Sequence, residues 1–182
     1  MIHTIADFIF SRICHQEAIR CWAPGGNVLA FCQRCTGVYI GSALMLPLFP
    51  LMKFKPDKKI LWLHGLFMIQ MLVFGFHLIP HSATIRTISG QLFITGALYF
   101  LYHNLQNRWN LFKINQTPRY YLFGIVTNIV ILQLLVRAPF SFASSIIELL
   151  GLIGIIVIVV LIFLTLFDLF TFKFKKYQKQ KM

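Results

Sequence analysis

Residues 151–167 read GLIGIIVIVVLIFLTLF, seventeen consecutive positions without a charge. Extended to Ile146 and Phe172, the run exceeds the roughly 20 apolar residues needed to cross a hydrocarbon core. It shows none of the period-two alternation of a barrel strand. Lipid admits only helices or closed barrels, because every backbone polar group must be satisfied inside the structure. The stretch therefore sets the fold class: an all-α, polytopic helical membrane protein.

The rest of the chain agrees. Of 182 residues, 58% are hydrophobic and 12% charged, against about 25% charged in a soluble domain. Moving toward the N-terminus, apolar spans are expected at Tyr120–Val136, Thr87–His103, Ile60–Ile79 and Val28–Met52, the last loosened at its end by Pro47 and Pro50. That makes about five transmembrane helices. Residues 1–13, MIHTIADFIFSRI, put Ile2, Ile5, Phe8, Ile9 and Ile13 at helical spacing but are too short to span. They read as an N-terminal interfacial helix or as an amphipathic segment packed on the bundle. The opening has no basic region followed by a cleavage site, so insertion is expected to use the internal spans rather than a removable signal peptide. The organisation is one membrane domain over residues 1–182: an outer-face Cys/His segment (1–27), a helical bundle (28–172) and a basic cytoplasmic tail (173–182).

The net charge of +12 does not point to nucleic acid, because the lysines fall in short clusters between apolar runs, where membrane-flanking residues belong. The expected partner is the lipid bilayer. With the first 27 residues outside, Lys53, Lys55, Lys58, Lys59, Arg108, Lys113, Arg119 and the five tail lysines all fall on the inner side. Arg12, Arg20, Arg34, Arg86 and Arg137 remain outside or at outer helix ends. The positive-inside rule then predicts a multi-pass cell-membrane protein, N-terminus outside and C-terminus cytoplasmic. It also brings the cysteines, His77, His81 and Arg86 to one face.

All four cysteines lie between Cys14 and Gly41, CHQEAIRCWAPGGNVLAFCQRCTGVYIG. Cys32-Gln33-Arg34-Cys35-Thr36-Gly37 has a two-residue spacer that lets both sulfurs reach one ion. Cys14 and His15 bring the donors to four, the number a tetrahedral zinc site uses. The same soft donors suit copper(I) or an iron–sulfur cluster. Adjacent Cys14 and His15 start in different directions, so His15 is either a ligand or an orienting group, with Cys21, His81 or water as the other candidates. Arg20, Arg34 and Arg86 are placed to balance thiolate charge.

Two other readings stand beside metal binding. A Cys-x-x-Cys near a helix N-terminus with an arginine between the thiols favours a lowered thiol pKa and thiol–disulfide exchange, which in a membrane enzyme would pass electrons to a quinone and use Cys14 and Cys21 as a second pair. A non-enzymatic scaffold binding a protein partner is the third. Gly37 and Gly41, four apart, form a small face for helix packing, with Tyr39 beside it. His64 and His103 are expected to hydrogen-bond within the bundle or at its edge, Arg137 to snorkel, and Asp168 to pair with the lysine tail.

Cys14-His15-Gln16, Arg20 and Cys32-Gln33-Arg34-Cys35-Thr36-Gly37-Val38-Tyr39-Ile40-Gly41 together resemble a family of small, uncharacterised prokaryotic integral membrane proteins, a domain of unknown function. Its pattern is Cys-His-Gln followed by Cys-x-Arg-Cys-Thr-Gly-x-Tyr-x-Gly. Ser82 to Gly90, SATIRTISG, is similar to a later block of that family. The resemblance covers about the first hundred residues. Cys21 stands where the family has serine, which places it outside the shared pattern. The acidic residue that precedes the later arginine is missing here, with His77 or His81 near its place. The resemblance implies a membrane location and a shared Cys/Arg site, and no particular activity.

Overall fold

The structure is a computed structural model that describes residues 2–14, 16–52, 58–75, 82–109, 118–140 and 142–181. Among the described residues its regular elements are helices and there is no strand beyond one isolated bridge; the α-helices are α1 (Ile2–Phe10), α2 (Gln33–Met45), α3 (Lys58–Gly75), α4 (Ala83–Trp109), α5 (Pro118–Val136) and α6 (Ala143–Lys181). Three of these helical segments are long and apolar enough to cross a membrane: Gln33–Met52, Pro118–Val136 and Ala143–Thr171.

The first of them begins later than hydropathy suggests. Leu29, Ala30 and Phe31 are apolar and buried, but they lie outside the helix, bending at Ala30 and Phe31 before Cys32, which caps α2 with φ −71° and ψ 163°. The Pro24-Gly25-Gly26 turn, with Gly25 and Gly26 at φ 59° and 85°, reverses the chain so that this stretch pairs with Cys21 and Trp22 rather than continuing a helix. At its other end α2 tightens into a 3-10 segment over Leu46–Met52. Pro47 and Pro50 remove amide donors there, which an α-helical ladder would require.

Helix α4 is the opposite case. It has 27 residues, about 40 Å at 1.5 Å per residue, yet it is polar enough to escape a hydropathy criterion. Its Thr87, Ser89, Gln91 and Thr95 are all buried. Several are satisfied locally: Thr87 and Thr95 donate to the carbonyls of Ala83 and Gln91, and Ser89 to that of Arg86. Threonine and serine can sit in an apolar bundle because the carbonyl one turn back accepts their proton.

Small residues let α2 sink between its neighbours. A Cβ on Gly37 would collide with the Thr87 carbonyl oxygen of α4, and one on Gly90 with the Arg34 carbonyl of α2. On the other side a Cβ on Gly154 of α6 would overlap the Tyr39 carbonyl. Backbones meet here without intervening side chains, which is the packing that operates when burial against lipid supplies no hydrophobic drive.

Two apolar cores result. One gathers Met45, Leu98, Tyr99 and Tyr121 deep in the bundle. The other gathers Phe10, Phe31, Tyr39, Ile40, Leu132 and Ile147 beneath the cysteines. Helix α1 docks on the second through Ala6 and Phe10, both fully buried, while Phe8 is 68% exposed. Outward faces of α5 and α6, such as Phe123, Phe163 and Phe170, are apolar and exposed, as lipid-facing surfaces are.

His64 is fully buried and bonds the Ile60 carbonyl at 2.8 Å and the Tyr121 hydroxyl at 2.7 Å, with its ring stacked 3.9 Å from that of Tyr99. The expectation of an internally hydrogen-bonded histidine is met. Arg137, by contrast, does not merely reach for the surface: it donates to Thr84 Oγ1 at 2.7 Å and lies 6.0 Å from the Trp22 ring centroid.

Candidate metal centre

Residues 16–32 form a folded cap over one end of the bundle. Cys21 and Cys32 pair backbone to backbone in an antiparallel bridge, and Leu29 N–H donates to the Trp22 carbonyl at 2.9 Å. Gln16, at φ 47°, turns its amide to the Ala30 carbonyl at 2.6 Å and to Asp7 at 3.2 Å. The cap is pinned below by Trp22 Nε1 donating to Thr87 Oγ1 at 2.8 Å and by Gly25 N–H donating to the Ala138 carbonyl at 3.1 Å. The C-terminal ends of α1, α3 and α5 and the N-terminal ends of α2, α4 and α6 thereby meet at one level.

Three sulfurs converge under this cap. The Sγ atoms of Cys14, Cys32 and Cys35 all lie within 4.8 Å of one another. Cys14 leaves α1 with its N–H bonded to the Phe10 carbonyl at 2.7 Å, and its sulfur accepts the Cys32 N–H at 3.2 Å. The start of α2 then carries Cys32 at the cap position and Cys35 one turn on. Thr36 Oγ1 closes that turn on the Cys32 carbonyl at 3.0 Å. The free N–H groups and the positive pole of a helix N-terminus favour thiolate there.

The cysteines are electrostatically unlike. Hydrogen bonds from the Cys32 thiol and then the Cys35 thiol, outweighing burial, hold Cys14 well below the usual thiol range. Cys21 goes the other way: burial, reinforced by the negative potential of Cys32 and Cys14, pushes it up to about 11. Its sulfur faces the Glu17 carbonyl at 3.3 Å. All four cysteines are free thiols. Tyr39 is 8% exposed, and its ring centroid lies 4.9 Å from that of Phe10.

The donor set fits a soft or borderline ion. Zinc–sulfur bonds of about 2.3 Å in a tetrahedron set sulfurs about 3.8 Å apart, so separations within 4.8 Å call for at most about an ångström of closure. A three-sulfur group of this kind could bind a metal.

This arrangement lies inside a recognised segment. Residues 14–102 match the family described as predicted membrane protein, DUF2085. The DUF2085 match begins at Cys14 itself and ends at Tyr102 in α4, so it takes in the whole sulfur cluster, Arg20, Arg34, Arg86 and the α2–α4 crossing. Helices α1, α5 and α6 lie outside it. No curated protein and no solved structure matches the chain.

Of the other residues singled out in the sequence, Arg34 and Arg86 reach the same end of the bundle. Arg34 Nη2 donates to the Phe74 carbonyl at 2.8 Å, and Arg86 Nη1 approaches Gln33 Oε1 at 3.4 Å. Arg20 pairs with Glu17 at 2.8 Å. His15, His77 and His81 lie outside the described residues.

Sequence reasoning passed over Glu148. It is 1% exposed near the start of α6 and meets His3 Nδ1 at 2.6 Å, tying α1 to α6. Its signal was present, since an acidic residue in an otherwise apolar span is a site by default.

Proposed function

We propose that the chain is an integral membrane protein that binds a soft or borderline metal ion (zinc, copper or an iron–sulfur cluster) through the Cys14, Cys32 and Cys35 thiolates at the outer face of the membrane. The observation that carries this reading is the convergence of three sulfurs from two separate segments within 4.8 Å, with one of them already favoured as thiolate. His15 or His81 completes or orients the shell. Arg20, Arg34 and Arg86 offset the thiolate charge, and Tyr39 supports Cys35. Five spans, α2 to α6, with the N-terminus outside and the tail cytoplasmic, suit the lysine distribution and the alternation of helix ends at the cap. The cluster pattern of the resembling prokaryotic family, Cys-His-Gln with Cys-x-Arg-Cys-Thr-Gly-x-Tyr-x-Gly, maps onto these residues.

A second reading is thiol–disulfide exchange coupled to a quinone. It is favoured by the depressed Cys14 thiol standing next to a Cys-x-x-Cys pair, the placement an attacking thiolate needs. The raised pKa of Cys21 argues against a relay that uses Cys14 and Cys21 as a second pair.

The test is elemental analysis of the protein extracted in mild detergent without chelator, beside thiol counting. One equivalent of metal per chain, lost in Cys14→Ser, Cys32→Ser and Cys35→Ser and retained in Cys21→Ser, is the expected result. Metal-free protein with a reducible Cys32–Cys35 bond would replace this reading with the second.

A further inference from the structure

Cys21 is the one cysteine outside the three-sulfur group, yet its backbone lies directly opposite that of Cys32 in an antiparallel bridge. Neither amide serves the other residue: Cys21 N–H donates to the Ala18 carbonyl at 3.1 Å and Cys32 N–H to the Cys14 sulfur at 3.2 Å. The two therefore form a non-hydrogen-bonded pair, a class whose Cα atoms stand about 4.5 Å apart. That spacing falls inside the roughly 4.4–6.8 Å that a disulfide bridges. Residues opposite each other in such a pair also project their side chains to the same face.

Cys21 Sγ is turned toward the Glu17 carbonyl at 3.3 Å. A thiol is a weak donor, so rotation about χ1 toward Cys32 costs little. Cys32 in turn lines a cavity of about 220 Å³ beside the cluster, together with Arg20, Gln33 and Cys35. Since a water molecule occupies about 30 Å³, the cavity has room for an oxidant as small as hydrogen peroxide. Cys35 borders the same space, but no cysteine outside the cluster lies opposite it.

We propose that Cys21 is a redox partner of Cys32, and that a peroxide arriving through the cavity joins them in a disulfide that opens the metal centre. This rests on the metal reading above: the ion engages Cys14 and Cys35, so Cys21 is the thiol left to close on Cys32. In the first step the Cys32 thiolate attacks one peroxide oxygen, the O–O bond breaks, and hydroxide leaves a sulfenic acid on Cys32. The Cys21 sulfur then attacks the Cys32 sulfur, the S–O bond breaks, and the departing hydroxyl takes the Cys21 proton as water. Two electrons pass from the pair of sulfurs to the peroxide, which ends as one water and one hydroxide ion. The ion keeps two of its three sulfurs and is released. A dithiol returns both cysteines to thiols by exchange.

The experiment uses the full chain, extracted in mild detergent without chelator and treated with graded hydrogen peroxide. Non-reducing peptide mass spectrometry after alkylation locates the linkage, and elemental analysis follows the metal. A Cys21–Cys32 linked peptide that grows in step with loss of metal is expected, with both thiols recovered by dithiothreitol. Cys21→Ser should keep its metal at peroxide levels that strip the parent. Should that variant not fold, mapping of the parent decides alone. Metal lost while Cys21 is still alkylated as a thiol, or lost equally from parent and Cys21→Ser, overturns this inference and leaves the metal reading intact. Protein that carries no metal and maps to a Cys32–Cys35 bond overturns both.

Discussion

The Cys32 amide donates to the Cys14 sulfur across 3.2 Å, so the last residue before α2 is bonded to the residue that ends the α1 turn. One hydrogen bond thus joins the two segments whose thiols form the cluster. It also aims a helix-start N–H at a sulfur, which is the chemistry that stabilises a thiolate.

The cysteines should consequently separate by pH. In metal-free protein, Cys14 is deprotonated at neutral pH because its pKa is lowered, so its intrinsic reactivity should stay flat from pH 6 to pH 9, at a rate limited by burial. Cys21 is raised to about 11, so it is a neutral thiol at pH 8. Its alkylation by iodoacetamide should rise about tenfold per pH unit until that value is approached. Mass spectrometry of alkylated peptides over a pH series measures both. A Cys21 rate that levels off near pH 8.5 would contradict the assignment.

Close approach of α2 and α4 should make the crossing intolerant of a single methyl. Gly90→Ala puts a Cβ into the Arg34 carbonyl oxygen, a backbone atom that cannot rotate away. Overpacking of this kind costs about 1–3 kcal/mol. Because Arg34 sits between Cys32 and Cys35 in sequence, the variant should lower both the melting temperature in detergent and metal retention. Gly65→Ala, where no atom lies within 4 Å of the added Cβ, should leave metal retention unchanged.

The tie between α1 and α6 depends on a buried acid. Glu148 is 2% exposed by side chain while its partner His3 is 64% exposed. His3→Ala should strand the carboxylate and destabilise the docking of α1 by about 1–3 kcal/mol. Limited proteolysis in detergent, followed at the N-terminal segment, should show faster cleavage in this variant than in the parent.

Tyr121→Phe removes the hydroxyl that meets His64 Nε2 at 2.7 Å, in a place where both side chains are fully buried. A buried group deprived of its partner costs about 1–3 kcal/mol. The expected result is a lower melting temperature with unchanged metal content, since this pair belongs to the deep core rather than the cap. Loss of metal in this variant would show the two cores to be coupled.

Composition and unbroken apolar runs were enough to read a helical membrane protein, because hydrophobic length is a local property that the bilayer converts directly into a span. Cys-x-x-Cys could likewise be recognised as a metal or redox pair, since its spacing alone sets what two sulfurs can share. Other features are not local. The beginning of α2 at Gln33 instead of Val28 depends on Cys21 and Trp22 pairing with the stretch before Cys32. The 27-residue α4, with its buried threonines, serine and glutamine, looks marginal by hydropathy, and is stable only where neighbouring helices and its own carbonyls take up the polar groups. The meeting of Cys14 with Cys32 and Cys35, of Arg86 with Gln33, and of His3 with Glu148 spans 18, 53 and 145 positions respectively. No spacing rule reaches that far; those contacts exist because glycine-mediated helix crossings bring distant chain ends to the same membrane depth.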